Sequence, residues 1–174
     1  IKHLTKNNLL HPNQHGFRTF HSCQTALTSL VDTWLTNIDT NNFSGAVFVD
    51  FMKAFDTINH NLLFRKLKLY KFSENTLQFL KSYLSDRKQS TIVNNKASSF
   101  SIITHGVPQG SVLGPIKFCM YTLPLGAILR HHNIGYHIYA DDTQLYLACD
   151  IKNPSLSIER LCAAIMDVRT WMIK

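Results

Sequence analysis

The sequence predicts an α+β fold in which helices pack on one face of an antiparallel sheet. Two runs of alternating polarity, 136–139 and 144–148, flank a pair of acids and predict a β-hairpin. A continuous apolar run in 45–51, which ends at an acid, is typical of a fully buried strand. With 174 residues, of which 45% are hydrophobic, the chain is long enough for one well-buried core.

Three long helices are predicted from apolar residues that recur every three or four positions. The first two follow Ser22 and Ser73, residue types that cap helix N-termini, and the third follows Pro154-Ser155 and is expected to pack beneath the sheet. The apolar positions of the first helix, expected to form one buried stripe, are Cys23, Ala26, Leu27, Leu30, Val31, Trp34, Leu35 and Ile38. Those of the third are Leu156, Ile158, Leu161, Cys162, Ile165 and Val168.

The middle of the chain predicts shorter elements. Strands are expected at 90–93 and 100–103, joined by a hairpin turn at 94–96. The composition of 106–111 predicts a loop, followed by a helix that opens at Ser111 or at Gly114-Pro115. Pro124 is expected to interrupt that helix, because proline cannot continue the backbone hydrogen bonding.

Asp141 and Asp142 lie at the tip of the predicted hairpin. An acidic turn alone is explained by the preference of Asp for tight turns. Asp50, at the end of the 45–51 run, adds a third carboxylate at the end of another strand. Three adjacent carboxylates repel one another, and a divalent cation with a preference for oxygen ligands, Mg²⁺ or Mn²⁺, keeps them ionised. Two such ions are the usual arrangement for in-line phosphoryl transfer.

Composition permits a nucleic-acid partner without requiring one. The formal net charge is +7 and the pI about 9.3, which favours a polyanion, but only 17% of residues are charged. The four cysteines lack the spacing of a zinc site and are expected to be buried, reduced thiols. No signal peptide and no apolar run of membrane-spanning length occurs in the sequence, so an intracellular protein without a membrane partner is expected.

Four motifs occur in an order that resembles reverse transcriptases, most closely those of non-LTR (LINE-type) retrotransposons. They are residues 14–18 (QHGFR), 48–56 (FVDFMKAFD), 106–115 (GVPQGSVLGP) and 139–142 (YADD). The resemblance implies a polymerase palm-and-fingers fold without the thumb, as a fragment of a longer parent polyprotein. It assigns 1–44 to a fingers remnant and first helix, and 45–174 mostly to the palm, with an inserted fingers hairpin near 88–104.

The resemblance implies an RNA-directed DNA polymerase that transfers a nucleotide from a dNTP to a primer 3′-hydroxyl on an RNA template, and nuclear residence. Asp50, Asp141 and Asp142 would be the catalytic residues and would bind two Mg²⁺ ions, with Mn²⁺ as a substitute. The backbone carbonyl of Phe51 would complete the metal coordination.

Four further residues are implied to contact substrate. Phe55 would exclude a 2′-hydroxyl, Gln109 and Gly110 would contact the nucleotide, and Arg18 would either approach the triphosphate or stabilise the fold. Lys81, Arg87 and Lys88 are either contacts to the nucleic-acid backbone or solvated surface.

Two alternatives remain open at this stage. The chain could be a truncated, inactive remnant that only binds nucleic acid. It could also be another two-metal enzyme, such as an RNA-dependent RNA polymerase or a metal-dependent nuclease, although Phe55 and the 106–111 loop favour reverse transcription.

Overall fold

The computed structural model describes residues 2–108 and 110–173, which form helices and antiparallel strands. The elements in chain order are α1 (Lys2–Lys6), α2 (Cys23–Asp39), β1 (Asn42–Val49), α3 (His60–Leu69), α4 (Glu74–Leu84), β2 (Lys88–Gln89), β3 (Ile92–Val93), β4 (Lys96–Ala97), β5 (Ser101–Ile102), α5 (Gly114–Thr122), α6 (Leu125–His131), β6 (Gly135–Tyr139), β7 (Asp142–Asp150) and α7 (Ser155–Ile173). The predicted α+β class is confirmed. The chain divides into two compact units, 1–52 together with 122–174, and 53–121.

The first unit contains a three-stranded antiparallel sheet in the order β1-β7-β6. The predicted hairpin is confirmed: β6 and β7 pair up to Tyr139 and Asp142, which leaves a two-residue turn of Ala140 and Asp141. Ala140 has a φ of 58°, the left-handed conformation that two-residue hairpin turns favour. β1 pairs with the other side of β7, so β7 is the central strand of the sheet.

The prediction of a fully buried strand at 45–51 is wrong. No residue of β1 is fully buried, and the Phe48 side chain is 68% exposed. β1 has a single pairing neighbour in the described sheet and carries α2 on only part of its surface. The continuous apolar run therefore correctly predicted a strand. It did not indicate how many faces of that strand other elements would cover.

Helix α2 begins where the sequence predicted it. Ser22 and Thr25 form a capping box, in which each side chain accepts a hydrogen bond from the backbone N–H of the other residue. The expectation of one buried stripe is wrong, because of its members only Leu30 is fully buried. Four of them are 47–66% exposed, on a surface that no other described element covers: Leu27, Val31, Leu35 and Ile38.

Helix α7 begins at Ser155 and packs against β7 and α6. Its predicted position against the sheet is confirmed. The predicted apolar side is only partly correct, since Val168 is buried but Leu156 and Ile158 are exposed. The apolar side chains of the first turn of α7 are therefore left exposed to solvent.

In the second unit, α3 packs against α4 around a core that includes Leu63, Leu67 and Leu80. Ser73 caps α4 by accepting a hydrogen bond from the Thr76 N–H, as predicted.

The predicted turn at 94–96 is confirmed, because Asn94 and Asn95 both have positive φ and connect β3 to β4. The predicted pairing of 90–93 with 100–103 is wrong. β3 pairs with β4, whereas β5 pairs with β2. A two-residue turn brings the nearest flanking residues together first, and these are 92–93 and 96–97.

The helix that follows the 106–111 loop opens at Gly114, one of the two predicted positions. It ends at Thr122, and Pro124 then occupies the N-cap position of α6. Pro124 thus separates α5 from α6, as its lack of an N–H donor predicted.

All four cysteines are free thiols. The expectation that they are buried is wrong for Cys23 and Cys162, which are exposed, and correct for Cys149. Across the described ranges, no helix has the length and apolar character needed to cross a bilayer.

Lys117 of α5 is an unusual charged residue in the second unit. Its side chain is 1% exposed, and its Nζ lies 3.7 Å from the centroid of the Tyr83 ring. Within the described structure this Nζ has no hydrogen-bond partner. Burial, and secondarily the charge of Arg87, lower the pKa of Lys117 to about 8.

Lys117→Met is expected to raise the free energy of unfolding by about 1 kcal/mol, because the variant buries no unpaired charge. The folded-state pKa of about 8 lies below the ordinary lysine value of 10.5 expected for the unfolded chain, so the unfolded chain binds more protons between these pH values. Wild-type stability should therefore rise from pH 8 to 10.5, and the rise should be smaller in the variant. Urea unfolding at several pH values measures both effects.

Lys66→Met is the matched control for this substitution. Burial also lowers the pKa of Lys66 to about 8, but its Nζ donates a hydrogen bond to the Tyr121 carbonyl at 2.7 Å. Removing this donor should not stabilise the protein. Equal changes in the free energy of unfolding for Lys117→Met and Lys66→Met would contradict the expectation that the unpaired Lys117 ammonium destabilises the folded protein.

Candidate active site

The three predicted carboxylates lie at the same end of the first unit's sheet. The last pair of the β1–β7 ladder joins Val49 to Thr143. Asp50 follows Val49, and Asp142 precedes Thr143, so the two acids occupy the next positions along neighbouring strands. Asp141 lies in the adjoining turn. The strand register therefore brings together residues that are 91 positions apart in the sequence (141 less 50).

The side chains at this end are accessible and unrestrained. Asp50 and Asp142 are exposed, and Asp141 is half-buried. In the part of the chain that the structure describes, none of the three forms a side-chain hydrogen bond or ion pair. The same residues contain no group of three or more His, Cys, Asp and Glu side chains already arranged to hold a metal ion. The strand ends bring the backbones of the three acids together, whereas their carboxylate groups are not arranged around a common metal position.

The donor chemistry of this end of the sheet fits a divalent cation. Carboxylate oxygens are the ligands that Mg²⁺ and Mn²⁺ prefer. Within the described residues, no hydrogen bond or ion pair restrains the three side chains, so their carboxylates are available as ligands. Phe51, directly after Asp50, is buried and holds the main chain at this point.

A segment of the N-terminal region lies beside the outer edge of β6. The Ile138 N–H donates to the Asn13 carbonyl at 2.8 Å, and the His15 N–H donates to the Ile138 carbonyl at 2.7 Å. This short parallel contact was not predicted, since residues 13–16 show no strand alternation. Only the resemblance of 14–18 to a family motif drew attention to the segment.

Arg18 contacts the backbone of this same segment. One guanidinium nitrogen, Nη1, donates to the carbonyl of His11 at 2.5 Å and to that of Gln14 at 3.3 Å. These contacts agree with the fold-stabilising alternative for Arg18. Its approach to a triphosphate stays a prediction.

Two buried histidines lie behind the hairpin. The facing ring nitrogens of His15 and His137 are 3.1 Å apart, and the other His137 nitrogen is 3.3 Å from the Tyr146 hydroxyl. Burial lowers the pKa of both imidazoles, and nearby His137, His21 and Arg18 lower that of His15 further. The two rings therefore join the 13–16 segment to β6 through a buried polar contact.

The segment after Asp50 is tied to the 106–108 loop within the second unit. The Val107 N–H donates to the Phe55 carbonyl at 2.9 Å, and the Gly106 N–H donates to the Ile58 carbonyl at 2.8 Å. The half-buried Phe55 ring stacks on Phe118 with 4.7 Å between centroids. Phe55 is thus held by its backbone and its ring, while its role in sugar selection stays a prediction.

Gly110 has a φ of 74°, and a Cβ at this position would meet nothing within 4 Å. The backbone there borders open space, as expected of a loop that a ligand approaches closely. Gln109 lies outside the described residues. The predicted nucleotide contacts of Gln109 and Gly110 therefore remain predictions.

A cavity of about 770 Å³ opens in the second unit between the 103–108 loop and the segment after α4. Its charged and titratable lining is mostly basic and comprises Lys53, Asp56, His60, Arg87, Lys88 and His105. Arg87 is oriented by a hydrogen bond from its Nε to the Tyr83 carbonyl at 2.9 Å. A cavity with this charge suits a ligand that carries phosphate groups.

Comparison with known proteins identifies the family of this chain. The family model described as reverse transcriptase (RNA-dependent DNA polymerase) matches residues 1–173. The chain is 34% identical, over 98% of its length, to a "Probable RNA-directed DNA polymerase from transposon BS" of Drosophila melanogaster. It is 36% identical, over 74% of its length, to the "RNA-directed DNA polymerase from mobile element jockey" of Drosophila funebris.

This chain belongs to the reverse transcriptase family, in the branch of non-LTR retrotransposons. A third relative is the "Retrovirus-related Pol polyprotein from type-1 retrotransposable element R2" of Popillia japonica, 27% identical over 67% of the chain. The chain spans only 20%, 14% and 21% of the lengths of these three proteins.

Proposed function

We propose that this chain is the palm and part of the fingers of an RNA-directed DNA polymerase, which extends a DNA primer on an RNA template with dNTPs. One observation carries the proposal: the β1–β7 register that places Asp50 beside Asp142 and the Asp141 turn. Membership of the reverse transcriptase family supports it.

In this proposal Asp50 and Asp141 are the principal ligands of two Mg²⁺ ions, and Mn²⁺ substitutes for them. Asp142 assists electrostatically, and the Phe51 carbonyl completes the ligand set. Divalent ions bound there would lower the pKa of the primer 3′-hydroxyl and would neutralise charge on the triphosphate.

The protein's own contribution is positioning and charge placement. The exposed end of the sheet leaves Asp50 and Asp142 accessible to a primer terminus and a triphosphate. Phe51 is buried, which fixes the chain direction next to Asp50. Phe55 selects deoxynucleotides, while Gln109 and Gly110 contact the nucleotide and Arg18 approaches its phosphates.

We further propose that the cavity in the second unit binds the nucleic-acid backbone. Its basic residues Arg87 and Lys88 are exposed and can each neutralise one phosphate. If Arg87 and Lys88 are only solvated surface residues, removing both should cause no specific loss of nucleic-acid affinity.

Arg87→Ala combined with Lys88→Ala is expected to weaken binding of a primer–template duplex and to reduce the slope of log affinity against log salt by about one to two units. Fluorescence anisotropy at several salt concentrations measures both quantities. Lys152→Ala, which removes an exposed lysine of the first unit, should leave the slope within half a unit of the wild type. Equal losses of affinity in the double variant and in Lys152→Ala would indicate that binding depends only on the net charge of the chain.

Primer extension tests the proposed activity directly. The purified chain is given an oligo(dT)-primed RNA template, dNTPs and Mg²⁺. Extension with dNTPs supports reverse transcription, extension with ribonucleotides alone indicates an RNA polymerase, and primer degradation without nucleotides indicates a nuclease.

A binding-only remnant is the second candidate. It is favoured by the absence, among the described residues, of carboxylates already arranged around a metal position. Template binding without extension, together with no measurable affinity for Mn²⁺, would favour this candidate over the polymerase.

A further inference from the structure

Gln14 contacts the turn that carries Asp141. Its side chain is 3% exposed, and its Oε1 accepts a hydrogen bond from the Ala140 N–H at 3.2 Å. Its Nε2 donates to the Ala140 carbonyl at 3.4 Å. One buried carboxamide therefore bonds both backbone groups of the residue that directly precedes Asp141.

Ala140 needs this support for three reasons. It occupies the turn between the last β6–β7 pair, Tyr139 with Asp142, so the sheet ladder does not extend to its backbone groups. It is also buried, and an unpaired buried backbone group is unfavourable. In addition, its φ of 58° lies in a region that residues with a Cβ seldom occupy unless their surroundings enforce it.

The segment that carries Gln14 is itself held against the hairpin. The Gly16 N–H donates to the same Gln14 Oε1 at 2.8 Å, which fixes the orientation of the carboxamide. A Cβ at Gly16 would lie 2.4 Å from the Ala140 nitrogen, so only glycine permits this approach of the two backbones. The bonds of His15 and Asn13 to Ile138 set the register.

We propose that Gln14 is a positioning residue for the catalytic reaction: it holds the Ala140–Asp141 turn so that the Asp141 carboxylate faces the metal position. The inference rests on the proposed function, since it gives Asp141 the role of a metal ligand. It assigns Gln14 a role distinct from that of Arg18 in the same 14–18 motif, which bonds the carbonyls of His11 and Gln14.

The experiment compares Gln14→Met with Gln14→Glu in the same 174-residue chain. Met has a similar length but forms none of the three hydrogen bonds, whereas Glu keeps the acceptor for the Ala140 and Gly16 N–H groups. Gln144→Met is the matched control, because it makes the same substitution on β7 at a position without a described role.

Amide hydrogen exchange and Mn²⁺ binding are measured first, since neither depends on polymerase activity. In Gln14→Met the Ala140 amide should exchange about tenfold faster relative to the Leu145 amide in the middle of β7, as expected for the loss of a buried hydrogen bond. Referring the rate to Leu145 separates a local effect from global destabilisation. Affinity for Mn²⁺, followed by electron paramagnetic resonance, should fall about threefold to tenfold. Gln144→Met should stay within twofold of the wild type in both measurements. Gln14→Glu keeps the acceptor for the Ala140 N–H but loses the donor to the Ala140 carbonyl, so its Ala140 exchange rate should lie between those of the wild type and Gln14→Met.

Primer extension then gives the kinetic readout, in which Gln14→Met should lower kcat while KM for the dNTP stays within about twofold. Unchanged relative exchange at Ala140, or faster exchange with unchanged Mn²⁺ affinity, would overturn the proposal and leave Gln14 a structural residue only. If the wild type binds Mn²⁺ but does not extend a primer, the proposed activity of the chain fails, while the exchange and Mn²⁺ measurements still decide the role of Gln14.

Discussion

Asp50→Asn and Asp141→Asn are each expected to lower primer extension by about 10²–10³-fold or more, the scale for removing one preorganised electrostatic contact in an active site. An amide oxygen is neutral and binds a hard divalent cation much less well than a carboxylate. Single-nucleotide extension under steady-state conditions measures the effect as kcat/KM.

Neither substitution should affect folding. Asp50 is exposed, Asp141 is half-buried, and no side-chain hydrogen bond or ion pair involves either within the described ranges. Their removal should therefore change the free energy of unfolding by no more than about 0.5 kcal/mol. Thermal unfolding of each variant beside the wild type checks this expectation.

Asp150→Asn is the matched control, because Asp150 is the last residue of β7 and Asp142 is the first. The two acids lie at opposite ends of one strand. Asp150 also accepts a hydrogen bond from the Lys152 N–H at 2.8 Å, which an Asn oxygen can accept equally well. Extension by Asp150→Asn should equal that of the wild type. Retention of more than a tenth of the activity by Asp141→Asn would contradict the assignment of metal ligands.

Among the substitutions proposed for this chain, Gly106→Ala is expected to lower the free energy of unfolding the most. Gly106 has a φ of 83°, and a Cβ there would lie 2.8 Å from the Asp56 carbonyl oxygen and 2.9 Å from the Asp56 Cα. The left-handed conformation costs about 1–2 kcal/mol for a residue with a Cβ, and the overlap with a backbone adds about 1–3 kcal/mol. Movement of the loop would also break the hydrogen bond from the Gly106 N–H to Ile58.

Gly110→Ala separates the two contributions. Its φ of 74° is similar, but a Cβ at position 110 has no neighbour within 4 Å. It should cost only about 1–2 kcal/mol, so urea unfolding should rank the variants wild type, Gly110→Ala and Gly106→Ala in decreasing stability. Equal losses for the two glycines would show that contact with Asp56 does not constrain the loop.

Local features of this fold could be predicted because neighbouring residues decide them. Ser22 and Ser73 begin their helices through hydrogen bonds to residues three positions away, and Pro124 ends a helix by its own covalent structure. Ala140 and Asp141 form a turn between two alternating runs, which placed the acids at the hairpin tip. The candidate site could be predicted to the same extent, since motif spacing marked the strand ends.

Other features depended on which surfaces meet. The stripe that includes Leu27 and Ile38 is apolar in the sequence, but periodicity cannot indicate whether another element covers it. The same limit explains the misjudged burial of β1, where the local pattern was correct and the long-range contact was not. The wrong partner predicted for β3 has a local cause, since the turn at Asn94 and Asn95 pairs β3 with the nearest flanking residues.

The sequence by itself determined the long helices, the helix caps, the hairpin turns and the family of this protein, because each depends on residues close together in the chain or on motif order. Only the tertiary structure decided that Asp50 lies beside Asp142, and that Gln14 bonds Ala140 across 126 positions of sequence. The reason is physical: strand register and buried side-chain hydrogen bonds are chosen by the packing of distant segments, and a local pattern is compatible with many such partners.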